Sequence, residues 1–113
     1  MKALTTRVGT YVTGDAVADA VLSYALALAR AGSLDLVDIP FRTASGVVSR
    51  VQLRLGWLVD MDSVSEGGSA ENELTDTAVL ADLRTRERAL RPRGDAPFQA
   101  GEMPALMGAL EEY

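Results

Sequence analysis

The chain has 113 residues and a formal net charge of −5, which suits one domain and is short of two. Cysteine and histidine are both absent, so thiol nucleophiles, disulfides, Cys/His zinc sites and imidazole-based triads are excluded. The acidic balance opposes general attraction to phosphate backbones and anionic lipid.

No apolar run follows the early positive charges of Lys2 and Arg7, so a secretory leader is not expected. The most apolar stretch, residues 16–29, is too short for a membrane span and is broken by Asp19. A cytoplasmic protein is the expectation. Residues 7–12 are rich in β-formers and read as a short first strand weakened by Gly9. Thr13 or Asp15 then offers an N-cap oxygen for a helix over residues 15–31, stopped by Gly32. The polar residues Asp15, Asp19 and Ser23 step by four and make one narrow stripe. Val17, Val21, Leu22, Tyr24, Leu26, Leu28 and many alanines surround it. Such a helix is buried on more than one side, so a second helix or a second subunit should cover Leu22 and Leu26.

Residues 34–41 alternate, with Val37, Ile39 and Phe41 on one face. Residues 47–61 alternate over a longer run, with Val51, Leu53, Leu55, Trp57, Val59 and Met61 together and Arg50, Gln52 and Arg54 opposite. Ala44-Ser45-Gly46 lies between them and fits a three-residue hairpin loop with a left-handed glycine. That loop length pairs Ile39 with Val51, Val37 with Leu53 and Phe41 with Ser49, which puts both apolar sets on one face. Asp38 then faces Gln52, with Arg50 and Arg54 on its diagonals.

Residues 63–73 are polar, acidic and glycine-containing and read as a loop. A second helix is expected over residues 71–90, with acids at its start, arginines at its end and Pro92 as its stop. Residues 1–91 form the expected domain. Residues 92–113 form a proline-containing tail, flexible or docked on a neighbouring subunit, in which Leu106, Met107 and Leu110 could make amphipathic turns.

Residues 57–64, an apolar run followed by Asp60-Met61-Asp62-Ser63-Val64, resemble the nucleophile motif of the haloacid dehalogenase superfamily. The resemblance implies a nucleophile at Asp60, a general acid at Asp62 and bound magnesium. It extends over this segment alone. That family's downstream lysine has no counterpart, since Lys2 is the only lysine, and its parallel sheet conflicts with an antiparallel hairpin. Asp60, Asp62 and Glu66 are also weak candidates for a hard cation, although Ser65 stands where a calcium loop counted from Asp60 needs glycine. Residues 84–93 hold five arginines and one acid, and Arg84, Arg88 and Arg91 share a helix face that could contact phosphates. No aromatic residue interleaves with them for base stacking. No phosphate-binding glycine loop or nucleophile elbow is present.

The expected fold is α+β, in the order (β)-α-β-β-α, with the helices on one face of a small, mostly antiparallel sheet. The expected core is Val17, Val21, Leu28, Val37, Ile39, Phe41, Val51, Leu53, Leu55, Trp57 and Val59. The leading function is a non-enzymatic protein-association module, a homodimer without cofactor, with Leu22 and Leu26 at the contact. The alternatives are nucleic-acid or other anion binding through residues 84–93, and a magnesium-dependent enzyme built on Asp60 and Asp62.

Overall fold

The structure is a computed structural model that describes residues 1–66 and 73–95, the last five by backbone alone. The chain opens with a hairpin of two strands, β1 (Lys2–Thr6) and β2 (Gly9–Thr13). The expected single strand over residues 7–12 is therefore corrected, because Arg7 and Val8 form the turn. The Thr6 hydroxyl accepts the amides of Val8 and Gly9 at 3.2 Å each, a local bond that competes with extended backbone.

Helix α1 (Asp15–Arg30) follows as expected. Its N-cap is Gly14, without a side-chain cap, rather than Thr13 or Asp15. The Thr13 hydroxyl is fully buried and donates instead to the Pro40 carbonyl at 2.8 Å. The next strands, β3 (Leu34–Arg42) and β4 (Val48–Gly56), pair in the expected register: Val37 with Leu53, Ile39 with Val51, Phe41 with Ser49. Gly46 has φ +91° at the loop end, and Thr43 N–H donates to Val47 O at 2.8 Å. The loop thus has the length and the left-handed glycine that the alternation requires.

The long alternating run over residues 47–61 is not one strand. It breaks after Gly56, which has φ +121°, and the Val59 amide closes a turn onto the Gly56 carbonyl at 3.2 Å. It resumes as β5 (Met61–Ser65), paired with β1. A strand therefore occupies the start of what read as a loop over residues 63–73. The same break removes two expected core residues: Trp57 is 42% exposed and Val59 only half-buried. Phe41 and Val51 are half-buried as well, near the hairpin's loop and on the edge strand. The other seven expected core residues are buried, joined by Ala3, Leu4, Ala18, Tyr24 and Leu83.

Helix α2 (Thr77–Asp95) completes the described chain. It starts later than expected because Asp76 caps it, its Oδ1 accepting the Val79 amide at 3.1 Å. It runs through Pro92, the expected stop. A proline near a helix end forfeits one hydrogen bond, and α2 is already held along its length by α1. The expected amphipathic turns of the tail lie outside the described residues. No described helix is long and apolar enough to cross a membrane.

The fold is α+β, with all strand pairs antiparallel and the order β4-β3-β2-β1-β5. β2 and β3 meet at one residue pair only, Val12 with Arg42. The hairpin register explains this. Odd-numbered residues of β3 turn their peptide groups toward β4, as the Thr43–Val47 bond shows. Even-numbered ones face β2, but at this register β2 ends at Thr13, opposite Phe41; Gly14 stands opposite Pro40, which has no N–H to give, and the rest of β3 lies past the start of α1. Alternating directions give β4 and β5 the same sense, yet only residues 57–60 join them. A flat sheet would separate those edges by about 19 Å laterally, plus a strand's length. The link reaches at most about 18 Å. The sheet therefore coils sharply at the β2–β3 junction.

A Cβ at Gly56 would lie 2.2 Å from the Ser33 carbonyl, whereas nothing approaches one at Gly46. Gly46→Ala should cost about 1 kcal/mol in denaturant unfolding, from backbone strain alone. Gly56→Ala should cost distinctly more, because the break between β4 and β5 must shift. Equal costs would contradict this account of the turn.

Candidate functional site

Below the single bridge, the even-numbered peptide groups of β3 lack a β-partner. Side chains take their carbonyls instead. Arg86 Nη1 reaches Leu36 O at 3.3 Å, Arg50 Nη2 reaches Asp38 O at 3.4 Å, and Thr13 takes Pro40 O. Arg50 also holds the Asp38 carboxylate at 2.7 Å and Asp76, at the start of α2, at 3.3 Å. The diagonal Asp38–Arg50 pair is the one the register implied. Arginines thus tie α2 to the open side of β3.

Three side chains from three elements meet beside this seam. Tyr24 of α1 donates its hydroxyl to Asp35 Oδ2 at 2.5 Å. Arg86 of α2 donates to the same oxygen at 2.9 Å and is paired with Asp82 at 3.0 Å. Burial works to raise the Asp35 pKa, but the bonds from Tyr24, the Leu36 amide and Arg86 outweigh it and hold the carboxyl below its usual range. Burial, then the neighbouring Asp35, pushes the Tyr24 hydroxyl up to about 12. The group borders an open cavity of about 420 Å³ between α1, the start of β3 and the last turns of α2.

This chemistry is fastening rather than catalytic. One guanidinium sits between two carboxylates, so the group has no spare positive charge for an anion. The tyrosine stays protonated at neutral pH, because the carboxylate it donates to, Asp35, is held below its usual range and is too weak a base to take the proton. The sequence reading did not single out Tyr24, Asp35 or Arg86 as a group. The available signal was Pro40, whose place on β3 implies an edge that side chains must satisfy.

The residues proposed from sequence are dispersed. Leu22 is half-buried against the core, and Leu26 is 52% exposed. Helix α2 lies along α1, so a second helix supplies much of the cover that the apolar helix requires. Arg84 and Arg88 are exposed, and the side chain of Arg91 lies outside the described residues. Arg86, within the same basic run, is engaged inward, which lowers the charge available to a phosphate. Glu87 accepts the Ser23 hydroxyl at 2.9 Å. Asp60, Asp62 and Glu66 are exposed. Asp60 lies 3.5 Å from Arg7 Nε, and the described residues contain no cluster of three or more side chains placed to hold a metal ion. The antiparallel sheet also departs from the parallel sheet that the dehalogenase resemblance implies.

One uncovered surface stands out. The outer face of the β3–β4 hairpin carries Leu34, Leu36 and Val48 at 59%, 49% and 48% exposure. Leu36 pairs directly with the exposed Arg54. Comparison with protein-family models, with curated proteins and with solved structures returns no match.

A carboxyl whose pKa is lowered by folding stabilises the fold above its unfolded pKa, about 4, and that contribution is lost as pH falls through the folded value. Asp35→Asn should therefore lower stability at neutral pH by about 1 kcal/mol or more. It should also flatten the loss of stability on acidification. Urea melts from neutral pH down to about pH 3 check both, and an unchanged acid slope would contradict the assignment.

Proposed function

We propose that the chain is a non-enzymatic protein-association module whose partner is a second copy of itself. The observation that carries this reading is the hairpin's outer face. Leu34, Leu36 and Val48 are exposed there on an ordered sheet, and no described element lies over them. Leu34 and Leu36 adjoin at the open end of the hairpin and Val48 lies at its loop end, opposite Arg42; exposed apolar side chains such as these, with Leu26 on α1, are the kind that subunits bury between them. The hairpin face replaces the Leu22 side of α1 as the leading contact, because Leu22 already packs against the core. A cytoplasmic location accompanies this reading.

A second reading keeps the exposed pair Arg84 and Arg88 as a contact for an anionic polymer. The two differ in their response to salt. Phosphate contacts weaken steeply as salt rises, whereas apolar association changes little. Sedimentation of the full chain at micromolar concentration should give twice the monomer mass, nearly independent of salt. A monomer throughout would overturn the association reading, and steep salt-dependent binding to a nucleic-acid duplex would favour the second.

A further inference from the structure

The two edge strands of the sheet, β4 and β5, differ in kind. β5 is five residues long and carries Asp62. β4 runs for nine residues without a proline, and each of them is in continuous register with β3. Short length, charge, proline and bulges are what keep an edge strand from pairing. The Thr43–Val47 bond turns the peptide groups of the odd-numbered residues of β4 toward β3. Those of Val48, Arg50, Gln52 and Arg54 therefore face outward, and no described residue bonds them.

Two further features suit this edge to another strand. Arg50 leans back over β3 to Asp38 and Asp76, so its charge is neutralised and turned away from the edge. Arg54 is the charge that remains on β4. On the inner side the cover is incomplete. Leu55 and Leu53 are 0% and 4% exposed, but Val51 and Ser49, next in the same row, are only half-buried. A strand added at the edge supplies backbone groups and side chains together.

We infer that β4 of one copy pairs with β4 of the other, antiparallel about a twofold axis at Val51. This rests on the self-association reading and gives it a geometry. Outward peptide groups must oppose one another, so the axis passes through a residue, and charge selects which. Centred on Arg50 or Gln52, the pairing opposes Arg50 to itself or to Arg54. Centred on Leu53, it sets the two Arg54 side chains on a diagonal. Centred on Val51, Arg54 faces Val48 and Arg50 faces Gln52. The two Arg54 positions are then about 20 Å apart along the strands, beyond the screening length of physiological salt. Val51 meets its counterpart in a close, non-hydrogen-bonded pair. Ser49 lies beside Leu53 of the other copy, where that copy's inner row is covered. On the outer side Leu36, the stem of Arg54 and Val48 of the other copy fall in one row, so the separate apolar ends of the hairpin face become continuous. The twofold uses up both long edges and leaves the short β5 edges free.

The test uses the full chain and sedimentation over a range of concentrations, with circular dichroism confirming the fold. Gln52→Pro removes an outward N–H and no bond to β3, a place where an edge strand tolerates proline, and should lower the mass from dimer to monomer. Gln52→Thr keeps the N–H and should leave the dimer intact. The chain has no cysteine, so Val51→Cys places one thiol at the axis, and mild oxidation should link the two copies. A Gln52→Pro chain that stays folded and dimeric overturns the edge pairing while leaving self-association standing. A dimeric Val51→Cys chain that fails to cross-link overturns the pairing whether or not the proline variant folds. A wild-type monomer overturns both the pairing and the reading beneath it.

Discussion

The rest of the structure follows from a single bridge between two strands. β2 ends at Thr13, one residue past that bridge, and Pro40 of β3 has no N–H with which to extend the ladder to Gly14. β2 and β3 therefore meet at Val12 and Arg42 alone. The sheet becomes two ladders, β3–β4 and β2–β1–β5, hinged at one residue pair. The hinge allows the sharp coil that four linking residues between β4 and β5 demand. It also leaves carbonyls of β3 open, and those carbonyls set the place of α2. An arginine can serve a carbonyl and a carboxylate at once through its forked donors. Arg50 and Arg86 both do so, binding β3 carbonyls together with Asp38 and Asp35.

The two helices share the inner side. Val17, Val21 and Leu28 of α1 are buried with Val37, Ile39, Leu53 and Leu55 of the hairpin, and Leu83 of α2 joins the same cluster. Fully burying one such side chain contributes roughly 1.5–3 kcal/mol, far more than an exposed ion pair. The apolar core therefore supplies the stability, and the arginine contacts fix where α2 sits. With both helices committed to the inner side, Leu34, Leu36 and Val48 of the hairpin's outer face stay exposed. The association proposal is a consequence of that asymmetry.

Where the residues repeat regularly, the fold was legible in the sequence. Alternation from Val37 to Leu55 and the Ala44-Ser45-Gly46 loop together specify one register, and the structure has it. The limits of the first helix follow from Asp15 and Gly32 in the same way. The end of β4 was not legible, because alternation continues through Trp57 and Val59 while the backbone turns. Gly56 breaks the strand, and a lone glycine in an apolar run has several readings. The Tyr24–Asp35–Arg86 group joins residues of three elements far apart in the chain, so no local pattern announces it. Arg86 in particular read as one more member of a basic helix end. Its partners, Asp35 and the Leu36 carbonyl, lie some fifty residues away in the sequence.

Hydrogen exchange on the Arg86→Ala variant tests the hinge most directly, because exchange resolves units that open separately. In the wild-type chain, amides such as Val37 and Ile39 in the β3–β4 ladder should open together with those of α2. Amides such as Leu4 in the β2–β1–β5 ladder should stay protected through that opening. Arg86→Ala should speed exchange in the hairpin and α2 while leaving the Leu4 ladder close to its wild-type rate. A uniform acceleration across both ladders would contradict the account, since it would mean that the sheet behaves as one continuous unit.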